Sequence, residues 1–247
     1  MSIAILYLVV IAGSEIVTNL FSLVAGIVCH IIVLTGLVVH SSLVAKSPIR
    51  GFLLVLCLAP LTRIMSLAMP LAQFPVLYWY LIIYPTLFLA AWVAMHHLNF
   101  TAKEVGLTVQ KLPWQLVVAL TGIIFGVAEY YLLKPEPLIP ELGWGQVLLA
   151  TLVFLVGTGF VEEFMFRGLI QRASMKFFGG WGLPYVALLF AVMHLIHYST
   201  NPWDIPFVFI IGLFFGWVVN KTGSLLGVTL SHGITNTLLY VVIPLLA

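Results

Sequence analysis

Three short polar patterns interrupt an otherwise apolar chain: Val161-Glu162-Glu163-Phe164-Met165-Phe166-Arg167, then Phe190-Ala191-Val192-Met193-His194, then Ser231-His232-Gly233-Ile234-Thr235-Asn236. Glu163 and Arg167 stand at i and i+4 with the acid on the N-terminal side, the favoured order for a helical ion pair. Glu162 is turned about 100° round the same helix. Arg167 therefore ties down one carboxylate and leaves the other available. His232 and Asn236 share the same spacing and present neighbouring polar groups on one helix face. A free carboxylate near imidazoles and an amide can move protons, bind an ion, or simply fasten helices together.

The rest of the chain decides how costly such a cluster is. Of 247 residues, 62% are hydrophobic and 7% charged, with ten Lys/Arg and eight Asp/Glu in all. A soluble domain carries about 25% charged residues, so the composition is that of an all-α, polytopic transmembrane helical bundle. Three of the eighteen charges fall within six positions, at Glu162, Glu163 and Arg167. Each charge near mid-bilayer costs roughly 2.5–3.5 kcal/mol, so the cluster needs partners, water or a task. Cys29 and Cys57 lie in apolar spans and are expected as free thiols. No secretory leader and no nucleic-acid partner is expected.

Apolar windows of about 20 residues predict spans at 20–39, 51–69, 75–95, 113–133, 147–170, 184–198, 205–220 and 224–245. A first run, 3–12, crosses only if it continues through Gly13-Ser14-Glu15 to Asn19, so the count is eight or nine. Lys46 and Arg50, Lys103 and Lys111, Arg172 and Lys176, and Lys221 fall in alternate loops. By the positive-inside rule those loops are cytoplasmic. Helical rise of about 1.5 Å per residue then gives depth. Glu162 lies ten residues from Arg172, His232 eleven from Lys221 and His194 ten from Pro184, so all sit about 15 Å in from the basic side. That shared level favours a site.

Other intramembrane polar residues have plainer expectations. Glu15 reads as a polar break or helix-end residue, Arg63 as snorkelling or bonding to carbonyls of neighbouring helices, and Glu129 as reaching the outer interface. His30, His40, His96 and His97 read as packing or interface, and His197, beside Tyr198, as a helix-end residue.

Taken together, Glu162-Glu163-x-x-x-Arg167, Phe190-x-x-x-His194 and His232-x-x-x-Asn236, in this order on successive late spans, resemble the CAAX-protease and bacteriocin-processing (CPBP, or Abi) intramembrane proteases, which include the type II CAAX prenyl endopeptidases. The resemblance covers about 147–245. It divides the chain into N-terminal helices, 1–144, that match only in being transmembrane, and a core, 145–247. It implies that Glu162 and His194 activate a water for attack on a peptide carbonyl. It further implies that His232 and Asn236 stabilise the oxyanion, with Glu163 and Arg167 holding the helix and positioning Glu162.

The resemblance leaves the metal open. Glu162, Glu163, His194 and His232 include N/O ligands for Zn²⁺ (Glu162, His194 and His232 first), but no His-Glu-x-x-His pair exists, and metal-free catalysis is the expectation. The implied substrate is a membrane-associated peptide or protein: a CAAX-like prenylated tail, a peptide precursor or a C-terminal sorting tail. The slight charge and the absence of a transit peptide suggest a bacterial plasma membrane. A proton- or ion-coupled transporter and a non-catalytic immunity or scaffold protein are the alternatives. Against the first stands the lack of paired helix breaks in two halves; against the second, the complete motif set.

Overall fold

The computed structural model describes all residues except 1, 46, 48, 70–72 and 198–199, so Lys46 and Tyr198 of the sequence reading lie outside the described residues. The described chain is helical, without a strand: α1 (Ser2–Leu20), α2 (Leu23–Leu43), α3 (Ile49–Leu56), α4 (Leu58–Ala68), α5 (Val76–His97), α6 (Leu112–Leu133), α7 (Trp144–Phe154), α8 (Gln171–Phe178), α9 (Gly182–Val192), α10 (Asp204–Thr222) and α11 (Leu226–Thr237). In lipid, backbone N–H and C=O groups must be satisfied within the segment, which is why long apolar runs take this form. Among the described residues, eight stretches are long and apolar enough to cross a membrane.

The first run does continue through Glu15, as the unbroken α1. The predicted span 51–69 is one crossing divided at Cys57, between α3 and α4. Pro60 accounts for the division, because it has no N–H for the Leu56 carbonyl and its ring crowds that group. The expected spans 147–170 and 184–198 both fall in one helical stretch, Trp144–His197, of 54 residues. A straight helix of that length would run about 81 Å, well beyond a bilayer core of about 30 Å. The chain turns instead at Gly179, whose φ of +62° suits a residue without Cβ. Phe178 and Tyr185 then pack edge to face at 5.3 Å across the turn.

Hydrogen bonds sort the loops into two ends. At one, Leu225 N–H donates to Gly106 O (2.9 Å), the Thr108 hydroxyl to Gly223 O (2.7 Å), Lys111 Nζ to Lys221 O (2.8 Å) and Arg172 to Glu104 (2.9 Å). Backbone Thr101 N–H and Arg172 hold the Glu104 carboxyl down to about 2. At the other end Asn201 Nδ2 donates to Leu132 O (2.9 Å) and Leu138 N–H to Tyr240 O (2.9 Å). The predicted basic loops described here do share one end.

α11 is gripped closely by its neighbours. A Cβ at Gly126 of α6 would fall 2.8 Å from Thr235 O, and one at Gly159 would fall 2.6 Å from Thr229 O. Small residues at these crossings let backbones approach, as interhelical packing in lipid requires. The α6 face that carries Gly122 and Gly126 against α11 also carries Glu129, which is buried and lines an internal cavity, and this corrects the expectation for Glu129. It is turned inward rather than out to the interface.

Candidate active site

Between α7 and α8 the helix is wound in π geometry, over Leu155–Glu162 and again over Phe164–Ile170. Such turns are rare and occur often at functional sites. They carry Glu162 and Arg167, with Glu163 at the junction between them, where the sequence predicted a regular α-helix. Arg167 Nη1 donates to Glu163 Oε1 at 3.0 Å, the ion pair read from the i, i+4 spacing, and both side chains are sealed from solvent. His232 of α11 donates Nδ1–H to the same Glu163 oxygen at 2.9 Å. Glu163 thus ties two helices together as well as pairing with Arg167. Below this group lies the Phe190 ring, 4.1 Å from Arg167 Cζ and 4.7 Å from the His194 ring.

Glu162 faces the other way, into a cavity of about 440 Å³ that His194, His232 and Asn236 also line. Its Oε1 accepts the Tyr84 hydroxyl. Its Oε2 lies 4.0 Å from His232 Nε2. His194 sits just past α9, in the turn that follows, with Nδ1 2.8 Å from Phe190 O. A carbonyl can only accept, so Nδ1 carries the proton, and in the neutral ring Nε2 keeps its lone pair. Asn236 Nδ2 donates to Thr158 Oγ1 (2.8 Å), whose own proton goes to Phe154 O (3.0 Å). That chain fixes which end of the amide is nitrogen and leaves a second N–H unspent.

All six residues predicted from the three motifs are therefore brought together. Four open on the cavity, while Glu163 and Arg167 stand behind its wall. Sequence reasoning missed Tyr84 and Thr158. Depth counting could have found Tyr84: it is thirteen residues from His97, about 20 Å in from the same end. The cavity also takes in His197, read only as a helix-end residue; its Nδ1 lies 3.3 Å from Asp204 Oδ2. On the far side of Tyr80 and Tyr84, an apolar groove of about 450 Å³ runs between α5 and α7 past Phe88, Leu152 and Val156.

Both imidazoles are held at Nδ1, as ligating histidines also are. Yet among the described residues no three His, Cys, Asp or Glu side chains are grouped to hold a metal ion. Glu162, His194 and His232 are thus not gathered around one ion position.

No match was found among curated proteins or among solved structures. Residues 143–238, which run from α7 to α11 and contain every motif above, match the family model of Type II CAAX prenyl endopeptidase Rce1-like proteins, and it is to that family that this stretch is similar.

Proposed function

We propose that this protein is an intramembrane endopeptidase that hydrolyses a peptide bond of a membrane-associated substrate with a water activated by Glu162 and His194. What carries this reading is the convergence of Glu162, His194, His232 and Asn236, from three helical arms of the Rce1-like stretch, on one cavity.

Tyr84 occupies one oxygen of Glu162 and leaves the other to accept a proton from water. The His194 Nε2 lone pair accepts from the water's second hydrogen and so aims its oxygen. As that oxygen bonds to the scissile carbonyl carbon, the C=O π pair moves onto the carbonyl oxygen. The unspent Asn236 N–H and His232 Nε2–H meet the new negative charge, a contribution of several kcal/mol where water is scarce. With Nδ1–H already given to Glu163, His232 donates from Nε2 only as the doubly protonated ring, whose charge the Glu163 carboxylate balances throughout and the Glu162 carboxylate until it takes the water proton. On collapse the C–N bond breaks, and the proton held by Glu162 passes to the departing amine. The products are a carboxylic acid and an amine, and metal-independence is part of the proposal.

The apolar groove beside Tyr80 and Tyr84 suits an aliphatic chain lying in the bilayer, so a lipidated tail of the CAAX kind is the substrate this reading favours. The basic loops face the cytoplasm, and the membrane is a bacterial plasma membrane. Reconstituted wild-type protein is expected to cleave a prenylated tail peptide better than its unprenylated twin. Glu162→Gln and His194→Ala, folded and inserted, should cleave neither. A folded Glu162→Gln variant that retains full activity would contradict the proposal.

A further inference from the structure

α9 ends at Val192, and His194 lies in the turn beyond it. A helix that stops leaves its last carbonyls without intrahelical partners. Here two carbonyls of this turn are met by side chains from the opposite end of the chain. Arg63 of α4 donates Nη2–H to the Met193 carbonyl, and Asn19 of α1 donates Nδ2–H to the Leu195 carbonyl at 3.0 Å. His194 is the residue between them.

Arg63 is itself held in place. Its Nε–H donates to Glu15 Oε1 at 2.8 Å, and His30 Nε2 stands 3.5 Å from the same oxygen. Glu15 and His30 are 0% exposed and Arg63 is 8% exposed. Glu15 is thus neither a polar break nor a helix-end residue, whereas Arg63 does bond a neighbouring carbonyl, one of its two expected roles. A buried ion pair is weak evidence for stability, because desolvation offsets its attraction. What this pair does have is direction: it presents a guanidinium N–H to one carbonyl. None of these four residues lies in the stretch that matches the Rce1-like family.

We infer that Glu15, Arg63 and Asn19 form a clamp by which the N-terminal helices fix the turn bearing His194. They are positioning residues. The Nδ1–H bond to Phe190 O holds the imidazole only while the backbone between Phe190 and His194 keeps its path, and the Met193 peptide is the last link of that path. Arg63 fastens that link and Asn19 the one after His194. The kinetic part of this inference rests on the protease reading; the geometric part does not.

Removing Arg63 alone would leave Glu15 buried and unpaired, so the informative variant is Glu15→Gln/Arg63→Met, which discards both charges and the donor. Asn19→Ala is the milder second variant. Two readouts apply to each: kcat and KM on a peptide that wild type cleaves, and the ring ¹⁵N resonances of His194 in histidine-labelled, detergent-solubilised protein without substrate. The double variant is expected to lose at least about tenfold in kcat, as small misplacements of a reacting group do, with KM little changed. Asn19→Ala should lose less, and in both variants the His194 resonances should move while those of His232 stay.

Unchanged His194 resonances would overturn the clamp, and so would a rise in KM at constant kcat, which would make Arg63 a substrate contact. If wild type cleaves nothing, the protease reading fails and the resonances still decide the clamp. If the double variant does not fold, Asn19→Ala decides it.

Discussion

Glu163 and His232 belong to different helices and share a 2.9 Å hydrogen bond, through an oxygen that also accepts from Arg167 at 3.0 Å. Glu163 is therefore a joint, and its loss should be felt on both sides. Glu163→Ala leaves Arg167 as an uncompensated buried charge, a class of change that costs roughly 3–5 kcal/mol. Glu163→Gln/Arg167→Met, which removes both charges, should be less destabilised than Glu163→Ala. Thermal unfolding of the single and double variants in detergent checks this; equal or greater loss in the double variant would deny the pair its role as a joint.

Tyr84 holds one oxygen of Glu162 from outside the Rce1-like stretch. Tyr84→Phe keeps the ring and discards the hydroxyl. A hydrogen bond to a charged group is worth roughly 1.5–3 kcal/mol, so kcat is expected to fall about tenfold or more. Steady-state kinetics measured below the unfolding temperature of the variant separate this loss from a folding defect.

Gly159 stands where the π-wound helix meets α11, three residues before Glu162, and an added Cβ would sit 2.6 Å from Thr229 O. Gly159→Ala must push the helices apart, which should cost about 1–3 kcal/mol and carry His232 and Asn236 away from Glu162. Gly145→Ala, with open space at the Cβ position, is the control and should behave as wild type in both melting and cleavage.

At the basic end, Glu104 accepts from Thr101 N–H and from Arg172, and its carboxyl is held down to about 2. A carboxyl depressed in the folded state stabilises above its unfolded value, and that contribution is lost as pH falls towards about 2. Glu104 is partly exposed, so the effect is small. The melting-temperature gap between wild type and Glu104→Gln should be full near neutrality and narrow steadily below the ordinary carboxylate range. A gap that widens on acidification would reverse the sign.

Much of this site was legible because the bilayer makes charge expensive: Glu162, Glu163, Arg167, His194, His232 and Asn236 stand out from apolar spans by type alone. Helical rise alone puts Glu162, His194 and His232 at one level. What sequence could not supply was the third dimension of helix packing. Glu129 was expected at the interface, yet glycines on its own face of α6 draw α11 against that face, and Glu129 is buried at an internal cavity. Glu15 was expected as a break in α1 because its partner, Arg63, lies 48 residues away on another helix. The π turns were also hidden, since side-chain spacing does not announce a change in winding when Glu163 and Arg167 can pair in either.

The central claim is that Glu162 activates water for peptide hydrolysis without a metal. Its most direct test is cleavage of a prenylated tail peptide in proteoliposomes by wild type, Glu162→Gln and Tyr84→Phe, with and without a strong chelator. The account predicts wild-type cleavage unaffected by chelator, reduced cleavage in Tyr84→Phe, and none in a folded Glu162→Gln. Cleavage that chelator abolishes and Zn²⁺ restores would contradict the metal-free reaction, and full activity in Glu162→Gln would contradict the assignment of the base.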